Sequence, residues 1–195
     1  MKRTQTSVEL PTLEQLQKEK QRLHYKKRYR RTLRSTVAIL IVVAAVAILV
    51  ATLWMPVLQI YGTSMTPTLS DGDIIFSVKT ADFDPGDVVA FYYNNKILVK
   101  RVVAVAGDWV DIGEDGTVYV NDRPLEEPYL SEKAYGDTNI ELPYQVPDGK
   151  IFVMGDHRAT SVDSRNTAVG CVSREQIVGK ILFRVWPLGG FGPVS

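Results

Sequence analysis

One stretch restricts how this chain can fold more than any other: from Ser35 to Ser70 no side chain carries a charge. Within it, residues 37–55 read VAILIVVAAVAILVATLWM, with Thr52 as the only polar residue. As a helix at ~1.5 Å per residue this run reaches roughly 28 Å, close to the ~30 Å hydrocarbon core of a bilayer. A chain of 195 residues has no core able to surround such a cylinder, so the segment is expected to cross a membrane. A cleaved leader would carry an apolar region of about 7–15 residues behind a short basic start. Here the basic start is 34 residues long and the apolar run is longer than that range, so the segment is expected to stay in place as an anchor.

Charge divides the chain around this segment. Residues 1–34 hold eleven Lys/Arg against three Glu, whereas residues 54–195 hold twelve against nineteen Asp/Glu. The positive-inside rule then makes residues 1–34 a cytoplasmic tail, residues 35–55 a single-pass anchor in the plasma membrane, and residues 56–195 an extracytoplasmic domain. Trp54 falls where an interfacial aromatic belongs. In the tail, Leu13, Leu16 and Leu23 fit either a short amphipathic helix over 12–34 or a solvated basic arm beside anionic lipid. The acidic globular part argues against nucleic acid as a partner, because phosphate binding needs clustered cations. The lone Cys171 allows no internal disulfide, and two histidines without a Cys/His cluster give no reason to expect a metal or other cofactor. Nothing in the sequence specifies an oligomeric state.

After Pro56 the pattern changes to short β-branched and aromatic runs. Strands are expected at 57–61, 73–78, 87–93, 97–106, 117–120, 150–154 and 177–185, separated by turn pairs such as Asp71-Gly72, Asn94-Asn95, Asp115-Gly116 and Asp148-Gly149. No helical periodicity of useful length follows, which argues against a βαβ architecture. The expectation is an all-β domain of antiparallel sheets that could close on itself, with a small hairpin-bearing insertion at about 109–147.

Three stretches could carry chemistry. Ser64 lies between Gly62 and Pro67, where a strand must end and a hydroxyl is presented; taken alone, the pattern fits an ordinary turn serine better than a nucleophile. Lys100 sits in ILVKRVVAVA, where strand alternation puts Leu98, Val102, Ala104 and Ala106 on its face and Arg101 on the other. Burial among apolar side chains lowers a lysine pKa and makes the neutral amine available as a base, whereas a snorkelling lysine would stay charged. The third stretch, Gly155-Asp156-His157-Arg158-Ala159-Thr160-Ser161-Val162-Asp163-Ser164-Arg165, is dense in polar groups, as a solvated loop also can be.

Together these stretches resemble the type I signal peptidases, the serine/lysine-dyad family, in their compact Gram-positive form. The resemblance rests on Ser64-Met65-Thr66-Pro67-Thr68-Leu69-Ser70-Asp71-Gly72-Asp73, on Gly86-Asp87-Val88-Val89-Ala90-Phe91, on Lys100 through Asp108, and on Gly155-Asp156 through Gly170, in that order after one anchor. It implies an all-β peptidase of signal-peptidase type that cleaves secretory preproteins at A-x-A-type sites at a lipid surface. It implies Ser64 as nucleophile, Lys100 as general base, Ser161 as the hydroxyl orienting the lysine, and Asp163 with Arg165 as a supporting ion pair. The oxyanion would lie partly on the Ser64 N–H. Gly62 stands where some relatives carry a second oxyanion donor, and His157 stands where Asn is common, which adds a rival base. Other readings are a self-cleaving repressor-type protease with a related dyad, a histidine-based signal peptidase, and a non-catalytic anchored β domain with an exposed, charged Lys100.

Overall fold

The computed structural model describes residues 12–54, 56–80 and 82–194, so residues 1–11 of the expected tail, Met55 at the end of the expected anchor, Ala81 and Ser195 lie outside the described residues. It divides into two compact units, residues 1–50 and 51–195. The first is dominated by one continuous helix, α1 (Leu13–Trp54), of 42 residues. Between Pro11 and Pro56 the sequence has neither proline nor glycine, so nothing interrupts the helix where the basic tail meets the apolar run. Its start is fixed by a reciprocal cap: Thr12 N–H donates to Gln15 Oε1 and Gln15 N–H to Thr12 Oγ1. The short helix expected over 12–34 is thus the first part of a longer one, and its apolar part is long enough to cross a membrane.

The second unit is β-rich, as expected. Its strands are β1 (Val57–Gln59), β2 (Ile74–Val78), β3 (Val88–Tyr93), β4 (Lys96–Val105), β5 (Trp109–Ile112), β6 (Val118–Val120), β7 (Arg123–Pro124), β8 (Tyr144–Gln145), β9 (Lys150–Met154), β10 (Val172–Ser173), β11 (Ile177–Trp186) and β12 (Gly192–Pro193). The larger sheet runs β1-β2-β11-β3-β4-β9-β10, with β12 added to β11, and every pair is antiparallel. It ends at β1 and β10 without pairing them to each other, so it does not close. Residues 109–145, where a small hairpin-bearing insertion is expected, form a smaller sheet of their own, in the order β7-β6-β5-β8.

Three apolar clusters hold the unit together. Ile60, Met65, Leu69, Ile75, Val88, Ala90 and Ile181 pack beneath the chain that carries Ser64. Val89, Phe91, Val102, Ile151 and Val153 form the second, with Leu98 and Val105 against it. The third joins the small sheet to the large one through Val103, Ala104, Val110, Ile112, Val118, Phe152 and Met154. The alternation expected along β4 holds from Leu98 to Val102 and then fails. A register shift between Val102 and Ala104 sends Ala104 into the cluster of Val103, away from the Leu98/Val102 cluster.

Register also leaves an edge open. Residues 96–101 of β4 pair with β3, but β9 joins β4 only from Arg101 onward. Residues 96–100 therefore have one strand neighbour among the described residues, and so does β1.

Candidate active site

Ser64 lies in the link between β1 and β2, which is pinned at several points. Gly62 N–H donates to Asp71 Oδ1 at 2.7 Å, Leu69 N–H to the Met65 carbonyl at 2.8 Å, and Gly72 N–H to the Ile60 carbonyl at 2.9 Å. Met65 and Leu69 are buried and anchor the link from below. Gly62 has φ +92, a left-handed conformation that a side chain would strain. The Ser64 carbonyl accepts from His157 N–H at 3.0 Å, and among the described residues its own N–H has no acceptor.

Lys100 reaches this serine from β4. Its Nζ is 2.6 Å from Ser64 Oγ, and the residue is only 3% exposed. Burial lowers the Lys100 pKa from 10.5 to about 8, against the opposing pull of the Asp163 and Asp156 carboxylates; the Arg165 charge lowers it further. Burial prevails because each carboxylate is already engaged by its own arginine. Asp163 takes Arg165 in a fork, Nε to Oδ1 and Nη2 to Oδ2, both at 2.9 Å, and also accepts Gly155 N–H. Asp156 takes Arg101, Nε to Oδ1 at 3.0 Å and Nη2 to Oδ2 at 2.8 Å. All four side chains are essentially inaccessible. The non-catalytic reading requires an exposed lysine, whereas Lys100 is buried against Ser64.

Of the expected site residues, Ser64 and Lys100 meet, and Asp163 pairs with Arg165. The bond from Ser161 to Lys100 that the resemblance implies is not made. Ser161 is buried and its Oγ has no hydrogen-bond partner among the described residues. It lies instead against Gly155, where an added Cβ would overlap both Ser161 Oγ and the Ser64 carbonyl. His157, the rival base, does not bond the Ser64 hydroxyl: its Nδ1 bonds Thr160 Oγ1 at 2.8 Å, and the partner of Ser64 Oγ among the described residues is Lys100.

The sequence reading missed the framework behind the dyad. Arg101 is 1% exposed, donates to the Gly86 carbonyl at 2.7 Å as well as to Asp156, and its Cζ lies 3.9 Å from the centre of the Tyr129 ring. Thr68 Oγ1 donates to Asp156 Oδ2 at 2.5 Å. Arg158 forms a fork with Glu127 and donates Nε to the Gly155 carbonyl at 3.1 Å, while Tyr129 O–H donates to Glu127. Arg165 adds a bond to the Tyr135 carbonyl at 2.8 Å. The segment 127–135 is thus tied to the Gly155 loop through three arginines. The available signal was Arg101 itself: an arginine inside an apolar strand must find a carboxylate if it is buried.

Ser64 and Lys100 share a groove of about 690 Å³ lined by residues 58–62 and 95–100 with Ser64 and Met65. Its walls are therefore the chain leaving β1 and the open half of β4. A serine hydroxyl, a depressed-pKa amine and two strand edges left open among the described residues, all around one groove, suit the cleavage of an extended peptide.

Comparison with known proteins agrees. Residues 32–186 match the family described as "Signal peptidase, peptidase S26". The chain is 39% identical over 163 residues to a signal peptidase I of Bacillus licheniformis, covering 77% of this chain and 86% of that one. It is 41% identical over 152 residues to signal peptidase IB of Staphylococcus aureus, covering 68% and 78%. A crystal structure of a signal peptidase I from Enterococcus faecalis aligns with a TM-score of 0.44 at 28% identity, over 51% of this chain and 96% of that one. The chain belongs to the signal peptidase family, peptidase S26.

Proposed function

We propose that this chain cleaves its substrates with Ser64 as nucleophile and Lys100 as general base. As a member of the signal peptidase family it removes signal peptides from exported preproteins. The observation that carries the assignment of roles is the 2.6 Å contact between Lys100 Nζ and Ser64 Oγ, made by a buried lysine whose pKa lies near 8. The neutral amine takes the serine proton as Oγ attacks the scissile carbonyl. The tetrahedral oxyanion forms beside the Ser64 N–H. The Lys100 ammonium returns the proton to the leaving amine, which frees the mature protein. Water then attacks the acyl ester with Lys100 again as base, releasing the signal peptide and restoring Ser64. Ser161, with its unpartnered hydroxyl nearby, orients the amine when Lys100 turns from Ser64 between the two half-reactions. Asp163 and Arg165 hold the loop that carries it.

An extended substrate adds as a strand at the open edges of β1 and β4, so alternate side chains face the groove. Ile60, Met65, Leu98 and Val99 line it, which supports small apolar residues at the first and third positions before the cut, the A-x-A pattern. Helix α1 anchors the protein in the cell membrane in a single pass, with residues 1–34 cytoplasmic and residues 56–195 outside. Exposed Trp186, Leu188 and Phe191 support lipid as a partner of the β unit as well.

The test is a preprotein-processing assay on folded, inserted variants. Ser64→Ala and Lys100→Ala are each expected to lose more than about 10³-fold in rate. Lys100→Arg fails equally, since a guanidinium stays protonated. His157→Ala stays within about tenfold, short of the ~10²–10⁴-fold a general base supplies. A preprotein with Phe just before the cut is left uncleaved at that site. Full loss in folded His157→Ala would move the base role to the histidine.

A further inference from the structure

We propose that Lys26, Lys27, Arg30, Arg31 and Arg34 form a binding stripe for the phosphate headgroups of anionic phospholipids. At ~100° per residue these five side chains of α1 occupy an arc of about 140° and about 12 Å of helix axis. With Leu23 they line a shallow cavity of about 630 Å³. All five are exposed, and none has a carboxylate partner among the described residues; Glu19 is engaged by Arg22 instead. In the same turns the opposite side of the helix carries Tyr25, Tyr29 and Thr32 with Arg28 as its one cation, so five of the six charges between residues 26 and 34 share one face.

Placement on the helix selects the anion. Because α1 is continuous, the stripe stands about 5 to 17 Å from Val37, where the apolar run begins. Arg34 thus stands in the headgroup layer, Arg30 and Arg31 about one Debye length beyond the hydrocarbon edge and Lys26 and Lys27 about two, all within the ~30 Å reach of an anionic surface at low salt. Three arginines offer planar forks that suit phosphate oxygens. The preprotein is the wrong occupant, because the start of a signal peptide is itself basic and would be repelled. The stripe stands independently of the Ser64/Lys100 mechanism and of which way the helix runs through the membrane.

The experiment uses the full chain in phosphatidylcholine vesicles containing about 20% phosphatidylglycerol, a fraction at which an anionic surface attracts polybasic segments. Energy transfer from a dye on the helix to headgroup-labelled lipid measures local enrichment. The expected result is about threefold enrichment of phosphatidylglycerol over phosphatidylcholine at low salt, lost at high salt. Lys26→Gln/Lys27→Gln/Arg30→Gln/Arg31→Gln abolishes the enrichment. Lys18→Gln/Lys20→Gln/Arg22→Gln/Arg28→Gln removes as much charge and keeps most of it. Lys26→Arg/Lys27→Arg retains it, which separates loss of binding from loss of helix. Equal loss in the two fourfold Gln variants contradicts a stripe, since net charge alone would then account for the effect. Displacement of labelled lipid by millimolar inorganic phosphate or by an oligonucleotide assigns the cations to a soluble anion and overturns the proposal.

Discussion

Lys100 is where function and stability oppose each other. Its pKa is 10.5 in the open chain and about 8 in the fold. Between those values the unfolded state holds more protons, so stability rises with pH across that window, and below pH 8 the buried ammonium carries its full cost of about 3 kcal/mol. Replacing it with Met removes that cost and a hydrogen bond worth about 1 kcal/mol. Lys100→Met should therefore melt about 4–8 °C higher than wild type at pH 7, with the gap closing by about pH 10. A melting temperature at pH 7 no higher than wild type would mean that the lysine is not held against its preferred charge. The apolar neighbours of Lys100, Leu98 and Val102, were legible in the sequence one strand period away on either side, but a snorkelling lysine fitted them as well as a buried one. Of the carboxylates facing it, Asp163 entered only through the family resemblance, and nothing pointed to Asp156 as a partner of Arg101. Asp156 and Asp163 lie more than fifty residues further along, and only the fold brings them, with Arg165, beside Lys100 and Arg101 of β4.

At the scale of elements, runs rich in β-branched and aromatic residues were the readable part. Each of the seven expected strands exists, with ends shifted by a few residues. The omissions have physical causes. β5 follows Gly107-Asp108 with only four residues, and β7, β8, β10 and β12 have two each, too short for alternation to register. The shift in β4 after Val102 has no turn residue to announce it. The Glu127–Arg158 pair is another feature that sequence spacing hides, since neither residue lies in a strand. It links segment 127–135 to the Gly155 carbonyl and so to the wall behind Ser64 and Ser161. Glu127→Gln leaves Arg158 charged, buried and unpaired, at a cost of about 3 kcal/mol. Processing should fall about tenfold in the protein that remains folded, as expected for a shift of around 1 Å at the reacting groups. Chemical denaturation and single-turnover processing measure the two effects separately. Unchanged single-turnover rates in Glu127→Gln would reduce the pair to a stability device.

For the whole molecule, the uncharged stretch and the charge imbalance on its two sides were enough to expect one apolar helix followed by a β-rich unit, and both are present. The continuity of the helix into the basic tail was harder to read. Lys, Arg, Leu and Ala all favour helix and Val and Ile tolerate it, so the change in composition at Arg34–Ser35 looks like a boundary where the backbone has none. The orientation proposed for the helix has its own test. In cells stripped of their wall, added protease should digest residues 56–195 and leave residues 1–34 intact. Digestion of the tail with protection of the β unit would reverse the topology and place the groove on the wrong side of the membrane for exported substrates.

The central claim is that a neutral Lys100 activates Ser64, and the pH dependence of kcat/KM on a soluble signal-peptide substrate tests it most directly. With the lysine pKa near 8, the neutral share grows from about 10% at pH 7 to about 75% at pH 8.5, so kcat/KM should rise about eightfold over that interval. The same rise should appear in His157→Ala. A plateau reached by pH 7.5 in the wild type and abolished in His157→Ala would contradict the account and assign the base to the histidine.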